Sequence, residues 1–220
     1  MANHTDAINF VKKWEGGLSG HPADSASNNP SPCGDDPRYN APYHTNKGIT
    51  WQTYTSSVQG GSCEEFLVMP DSVWLFVWKT KYWDRVQGDF IENQAIANAY
   101  ASWAWGSGVA GASYLMQSML MNKYGYRLED VSTPSNRTAI LNALARKDSA
   151  QLFETMMDTR EQFFRGLSSF ATFGTGWLNR LEDFRKYNQK YVGAPDNSKR
   201  LIVMLLVLVA LLIALYFALS

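Results

Sequence analysis

Two carboxyl groups and a threonine-rich turn carry the chemistry that is legible in this chain. Glu15 stands directly before Gly16 and Gly17, Asp24 follows nine positions on, and Thr45-Asn46-Lys47-Gly48-Ile49-Thr50 comes after a loop. Splitting a glycosidic bond needs one carboxylic acid that gives a proton to the leaving oxygen. It also needs a second group that activates water or steadies positive charge at the sugar carbon. Glu15 suits the first task, because a helix ending there disfavours negative charge. The two glycines remove bulk, so a polymer can approach the backbone. Asp24 suits the second task, and the hydroxyl of Thr45 or Thr50 can orient the water. Trp51, Tyr54, Trp103 and Trp105 are candidate platforms for sugar rings, with core packing as the competing role for each.

The elements that must position these groups are mainly helical. Apolar residues at helical spacing predict a helix over residues 5–15, capped by Thr5 and ended by Gly16. Residues 17–50 are rich in Pro, Gly, Ser and Asn and read as loop, apart from a hairpin near 45–51. Pro70-Asp71 opens a helix running toward Trp83. Ile91 to Ala104 and Ala110 to Met121 read as two apolar, central helices broken at Gly106-Ser107-Gly108. Two further helices begin at Thr133 and near Lys147. A last one is expected after Gly174-Thr175-Gly176.

Bulk composition narrows the function classes. Twenty basic residues balance twenty acidic ones, which gives no support for a nucleic-acid partner. His4, His21 and His44 lack zinc-ligand spacing, so neither a metal nor an organic cofactor is expected. Cys33 and Cys63 either pair or remain thiols. The N-terminal residues lack a basic, then apolar, leader pattern. Leu201 to Leu219 contains no charged residue, Pro or Gly. As a helix it would span about 28 Å, close to the hydrocarbon thickness of a bilayer. This segment is expected to be a single-pass tail anchor in a lipid membrane. Lys186, Lys190, Lys199 and Arg200 all lie on the domain side of it, which favours a cytoplasmic domain.

The motifs also resemble a known family. Phe10-Val11-Lys12-Lys13-Trp14-Glu15-Gly16-Gly17, then His21-Pro22-Ala23-Asp24, then Thr45 to Thr50 is similar to the signature of glycoside hydrolase family 108. Lys81-Tyr82-Trp83-Asp84, Gly108 through Gln117, Arg160 to Phe164 and Gly176 to Arg180 resemble later family elements. The likeness covers residues 6–190. It implies a lysozyme-like fold and cleavage of peptidoglycan between N-acetylmuramic acid and N-acetylglucosamine. Glu15 matches the catalytic glutamate, and the spacing to Asp24 and Thr45 is similar to that of phage lysozymes. Ser102 and Gly106 stand where the family has Asp and Asn.

The expected organisation is a muramidase domain over 1–192, with a catalytic lobe near 1–90 and a peptidoglycan-binding-like lobe near 91–192. A linker over 193–200 and the membrane helix over 201–219 follow. Catalysis is assigned to Glu15, Asp24 and Thr45, and substrate binding to Gly16, Gly17, Thr50, Trp51, Tyr54, Trp103 and Trp105. Glycan strands, lipid and virion proteins are the expected partners. A lipid-containing phage particle would bring a tail-anchored enzyme to the wall; the host bacterial membrane is the alternative location. A lytic transglycosylase and a non-catalytic wall-binding protein are the alternative readings.

Overall fold

The computed structural model describes residues 1–21, 28, 31–35, 43–58 and 60–193. Asp24, the linker and the apolar stretch Leu201 to Leu219 lie outside the described residues. Among the described residues no helix is long and apolar enough to cross a membrane. The architecture is mainly helical, as the sequence pattern predicts, but the expected hairpin is widened to a three-stranded sheet by Leu18–Ser19, a stretch read as loop.

Helix α1, His4–Trp14, turns Ala7, Ile8, Phe10 and Val11 inward. Asn3, not Thr5, caps it, its side chain accepting from the Thr5 N–H at 2.9 Å. Asparagine outranks threonine at this position, and from two residues earlier it reaches an orphan amide of the first turn. After Glu15 the chain enters β1, Leu18–Ser19. This pairs antiparallel with β2, Thr45–Asn46, which pairs with β3, Ile49–Thr50. Two short helices follow, α2 over Trp51–Thr55 and α3 over Cys63–Val68. Cys33 and Cys63 are joined in a disulfide that fastens the turn at Pro32–Asp35 to the start of α3.

Helix α4, Asp71–Trp78, continues through one wide π turn at Lys79–Trp83. Helix α5, Gln94–Tyr124, is the central element. Its first half is buried on nearly every side from Ala95 to Ala101, so it carries small residues that let its neighbours approach. The break expected at residues 106–108 is a kink at Gly108, where φ is +70°. After the short α6, Leu128–Val131, helix α7 runs from Pro134 to Arg165 with a non-helical residue at Asp148. Thr133 and Asp148 thus open the two helical halves that the sequence suggests.

Helix α8, Phe170–Asn188, corrects one expectation. It starts before Gly174-Thr175-Gly176 and runs through them. A Cβ at Gly174 would lie 2.6 Å from the Phe170 ring, so that glycine admits an aromatic side chain and does not break the helix.

Helices α1 and α8 run antiparallel and are stitched along their length. Phe10 meets Phe184 edge to face at 4.8 Å. Lys13 and the Trp14 indole both bind Asp183, at 2.7 and 2.8 Å. At the other end Asp6 accepts from Tyr187 at 3.1 Å, from Asn98 at 3.0 Å, and from Tyr191. Burial alone would raise the Asp6 carboxyl, but the hydrogen bonds from Tyr191, Asn98 and Tyr187 outweigh it. The group is held below its ordinary value of 3.8. A carboxyl lowered on folding stabilises the protein fully above the unfolded value. That contribution fades as pH falls through the folded value. Asp6→Asn is expected to cost about 1–3 kcal/mol at neutral pH. The gap should close toward pH 3, as urea unfolding of both proteins at the two pH values would record.

Candidate active site

Glu15 is the C-cap of α1, and its backbone N–H still bonds the Val11 carbonyl. Pairing of β1 with β2 carries the chain back across the end of α1. The Lys47–Gly48 turn then closes on the glutamate. Both turn residues have positive φ, +47° and +76°, the conformation of a two-residue hairpin turn whose twist matches its strands. Only glycine adopts such a backbone without cost, and Gly48 has a further reason to be glycine. A Cβ there would sit 2.2 Å from Glu15 Oε2 and 2.9 Å from the Trp105 ring. The turn cannot drift, because Asn46 donates to the Phe66 and Leu67 carbonyls at 2.7 and 2.9 Å. Lys47 Nζ donates to the Met69 carbonyl, and the Trp74 indole donates to the Lys47 carbonyl, both at 2.8 Å.

The Glu15 carboxylate is 12% exposed. Trp105 Nε1 donates to its Oε1 at 2.8 Å, and an Arg180 Nη2 lies 2.9 Å from the same oxygen. Oε1 is therefore occupied from two sides, and among the described residues Oε2 receives no hydrogen bond. Trp105 is itself fixed by rings: Tyr82 at 4.9 Å and Trp74 and Trp78 at 5.4 Å each. Burial pushes the Tyr82 phenol up. The Thr53 hydrogen bond opposes this and the neighbouring Glu15 reinforces it, so the hydroxyl keeps its proton.

A groove of about 460 Å³ opens beside the carboxyl, lined by Lys12, Glu15, Gly16, Gly17, Lys47, Asp71 and Trp74. Gly16 and Gly17 face open space, where added Cβ atoms would meet nothing within 4 Å. Asp71 is held down by Lys12 at 2.7 Å, with Lys47 at 3.6 Å adding to the effect.

The structure brings Glu15, Gly16, Gly17 and Trp105 together from the sequence-derived set. Thr45 is buried in β2 opposite Ser19 and Thr50, and it makes no hydrogen bond to Glu15. Thr50 is committed as the N-cap of α2, accepting from the Thr53 N–H at 3.1 Å. Trp51 is half-buried against Phe66 and Tyr54. Two expectations are corrected. The Tyr54 ring is 0% exposed and hydrogen-bonds Glu65, and the Trp103 ring is 1% exposed beneath Arg160. Neither presents a face to a glycan in the groove. Sequence reasoning missed Arg180, Tyr82 and the role of Gly48. The Gly48 signal was present, a glycine in a two-residue link between strand-like segments. Arg180 arrives from 165 positions away and carries no local signal.

No curated protein matches the chain. Among solved structures, that of Brucella abortus SagA is similar in fold. Its TM-score is 0.63 at 24% identity, covering 85% of this chain and 94% of that one. Helices around a small sheet are consistent with the lysozyme-like class that the motifs imply. Residues 8–108, which hold Glu15, Gly48 and Trp105, match the model of the family described as Glycosyl hydrolase 108.

Proposed function

We propose that the protein hydrolyses the β-1,4 bond between N-acetylmuramic acid and N-acetylglucosamine in peptidoglycan. One observation carries the reading: a carboxyl fixed through Oε1 at the edge of an open groove, with Oε2 bound by no protein donor among the described residues. Glu15 acts as the general acid, a role typically worth 10²–10⁴ in rate. Trp105 and Arg180 orient it. Gly16 and Gly17 give the glycan access to the backbone. Asp24 handles water or positive charge, an assignment that rests on the family resemblance.

A lytic transglycosylase is the second reading, favoured by the state of Asp71. That residue is the other carboxylate of the groove among the described residues, and it is committed to Lys12 and Lys47. A transglycosylase needs no second carboxylate. Product analysis on purified peptidoglycan separates the two. Hydrolysis leaves new reducing ends, whereas transglycosylation leaves anhydro rings. Absence of both products from the full-length protein would leave a non-catalytic wall-binding protein.

The stretch Leu201 to Leu219 tethers the enzyme to a membrane, and a lipid-containing phage particle delivers it for entry or lysis. The support is the uncharged, apolar length of that segment. Recovery of the protein in carbonate-washed membranes is the expected result, and release by the carbonate wash would refute the tether.

A further inference from the structure

Behind the Glu15–Arg180 pair lies a second void. A partly open cavity of about 360 Å³ lies between α1, α5, α7 and α8, and aromatic rings from Trp103, Phe163, Phe164 and Trp177 form much of its wall. Two cations also line it, Arg160 and Arg180. Arg160 is 5% exposed. Its Nη1 donates to the Ser107 hydroxyl at 3.1 Å and more weakly to the Trp103 carbonyl at 3.4 Å. Among the described residues no carboxylate pairs with Arg160, and its Nε and Nη2 make no hydrogen bond. The guanidinium centre lies 4.8 Å from the Phe164 ring centroid, so one face is stacked. Gly106 makes the seat possible, since a Cβ there would lie 2.5 Å from Arg160 Nη2.

Burying an unpaired cation is strongly unfavourable, and a neighbouring cation adds to that cost. Burial, then the Arg180 charge, push the Arg160 guanidinium down to about 9, so it remains charged at neutral pH. Two guanidiniums converging on an aromatic cavity are complemented by a planar anion with an apolar remainder. The guanidinium fork matches a carboxylate in two-point geometry, and the rings accept its hydrocarbon part. Arg180 is shared, because the same guanidinium is the ion-pair partner of Glu15.

We propose that this cavity binds an apolar carboxylate on Arg160 and Arg180, and that its occupant competes with Glu15 for Arg180. Occupation thereby loosens the hold on the Glu15 carboxyl and couples ligand binding to the groove. Binding is independent of the glycosidase reading. Only the consequence for catalysis rests on it.

The test is calorimetric titration of the full-length protein in nonionic detergent with hexanoate, using hexanamide as the neutral control. Wild-type protein is expected to bind hexanoate saturably and at least tenfold more tightly than hexanamide. Arg160→Gln should lose that preference. Arg160→Lys, which keeps the charge, should retain part of it and guards against a folding defect in the glutamine variant. Glu15→Gln releases Arg180 from its ion pair and should tighten hexanoate binding about fivefold. N-acetylmuramic acid, whose carboxylate is borne on a polar ring, should bind at least tenfold more weakly than hexanoate. Equal affinity for hexanoate and hexanamide, or no saturable binding, overturns the anion site. Unchanged affinity in Glu15→Gln overturns the competition. Tighter binding of N-acetylmuramic acid overturns the apolar specificity. Cleavage is measured in none of these arms, so loss of the muramidase reading leaves their outcome intact.

Discussion

Glu15→Gln is expected to slow the clearing of a peptidoglycan suspension by about 10²–10⁴-fold, the usual contribution of general acid catalysis. Glutamine has the same reach, and its carbonyl still accepts from Trp105 in place of Oε1. What it loses is the ability to exchange a proton, and with it the ion pair to Arg180. The fold should survive, with a stability change of no more than about 1–2 kcal/mol. Near-UV circular dichroism beside the turbidity assay separates the two effects. Equal clearing by both proteins would remove Glu15 from the mechanism.

Gly48→Ala is the second large effect, and it acts on the same carboxyl without touching its chemistry. A methyl group at that position falls on Glu15 Oε2 and on the edge of Trp105. The turn is bound on both sides to α3 and α4 through Asn46, Lys47 and Trp74, so it cannot retreat. The carboxyl must move instead. A displacement of about 1 Å costs on the order of 10²-fold in rate. The positive φ of +76° adds about 1–3 kcal/mol of strain. Gly60→Ala is the matched control. Its φ is +72°, yet a Cβ there meets nothing within 4 Å. The control should show comparable strain in thermal unfolding and keep wild-type turnover within about twofold, since only local backbone strain is added. Loss of activity in both variants would attribute the Gly48 effect to stability alone.

These effects show which parts of the site sequence reasoning reaches. Glu15 was legible because periodic apolar residues end just before it, and a helix end followed by two glycines is a local event. The hairpin and the kink at Gly108 were legible for the same reason, since turn chemistry is written in neighbouring residues. The environment of Glu15 was not. Trp105 and Arg180 reach it from 90 and 165 positions away. Only the packing of α5 and α8 against α1 reveals that one oxygen receives both. Aromatic side chains were the least legible class. Tyr54, Trp103 and Trp105 look alike in sequence, yet two are core and one orients the carboxyl. The Gly174 and Gly176 pair reads as a break. It is tolerated inside α8 because the Phe170 ring fills the space beside Gly174.

The antiparallel seam between α1 and α8 has a mechanical side. Any tension on the chain beyond residue 193 enters the domain at Tyr191 and Tyr187, where it meets Asp6. Glu15 lies nine residues further along α1, about 14 Å at the helical rise. Before a pull could slide Arg180 along Glu15, it would have to shear the phenol–carboxylate bonds, the Phe10–Phe184 contact and the double grip on Asp183 in turn. The far end of the seam thus stands between any such pull and the Glu15–Arg180 pair.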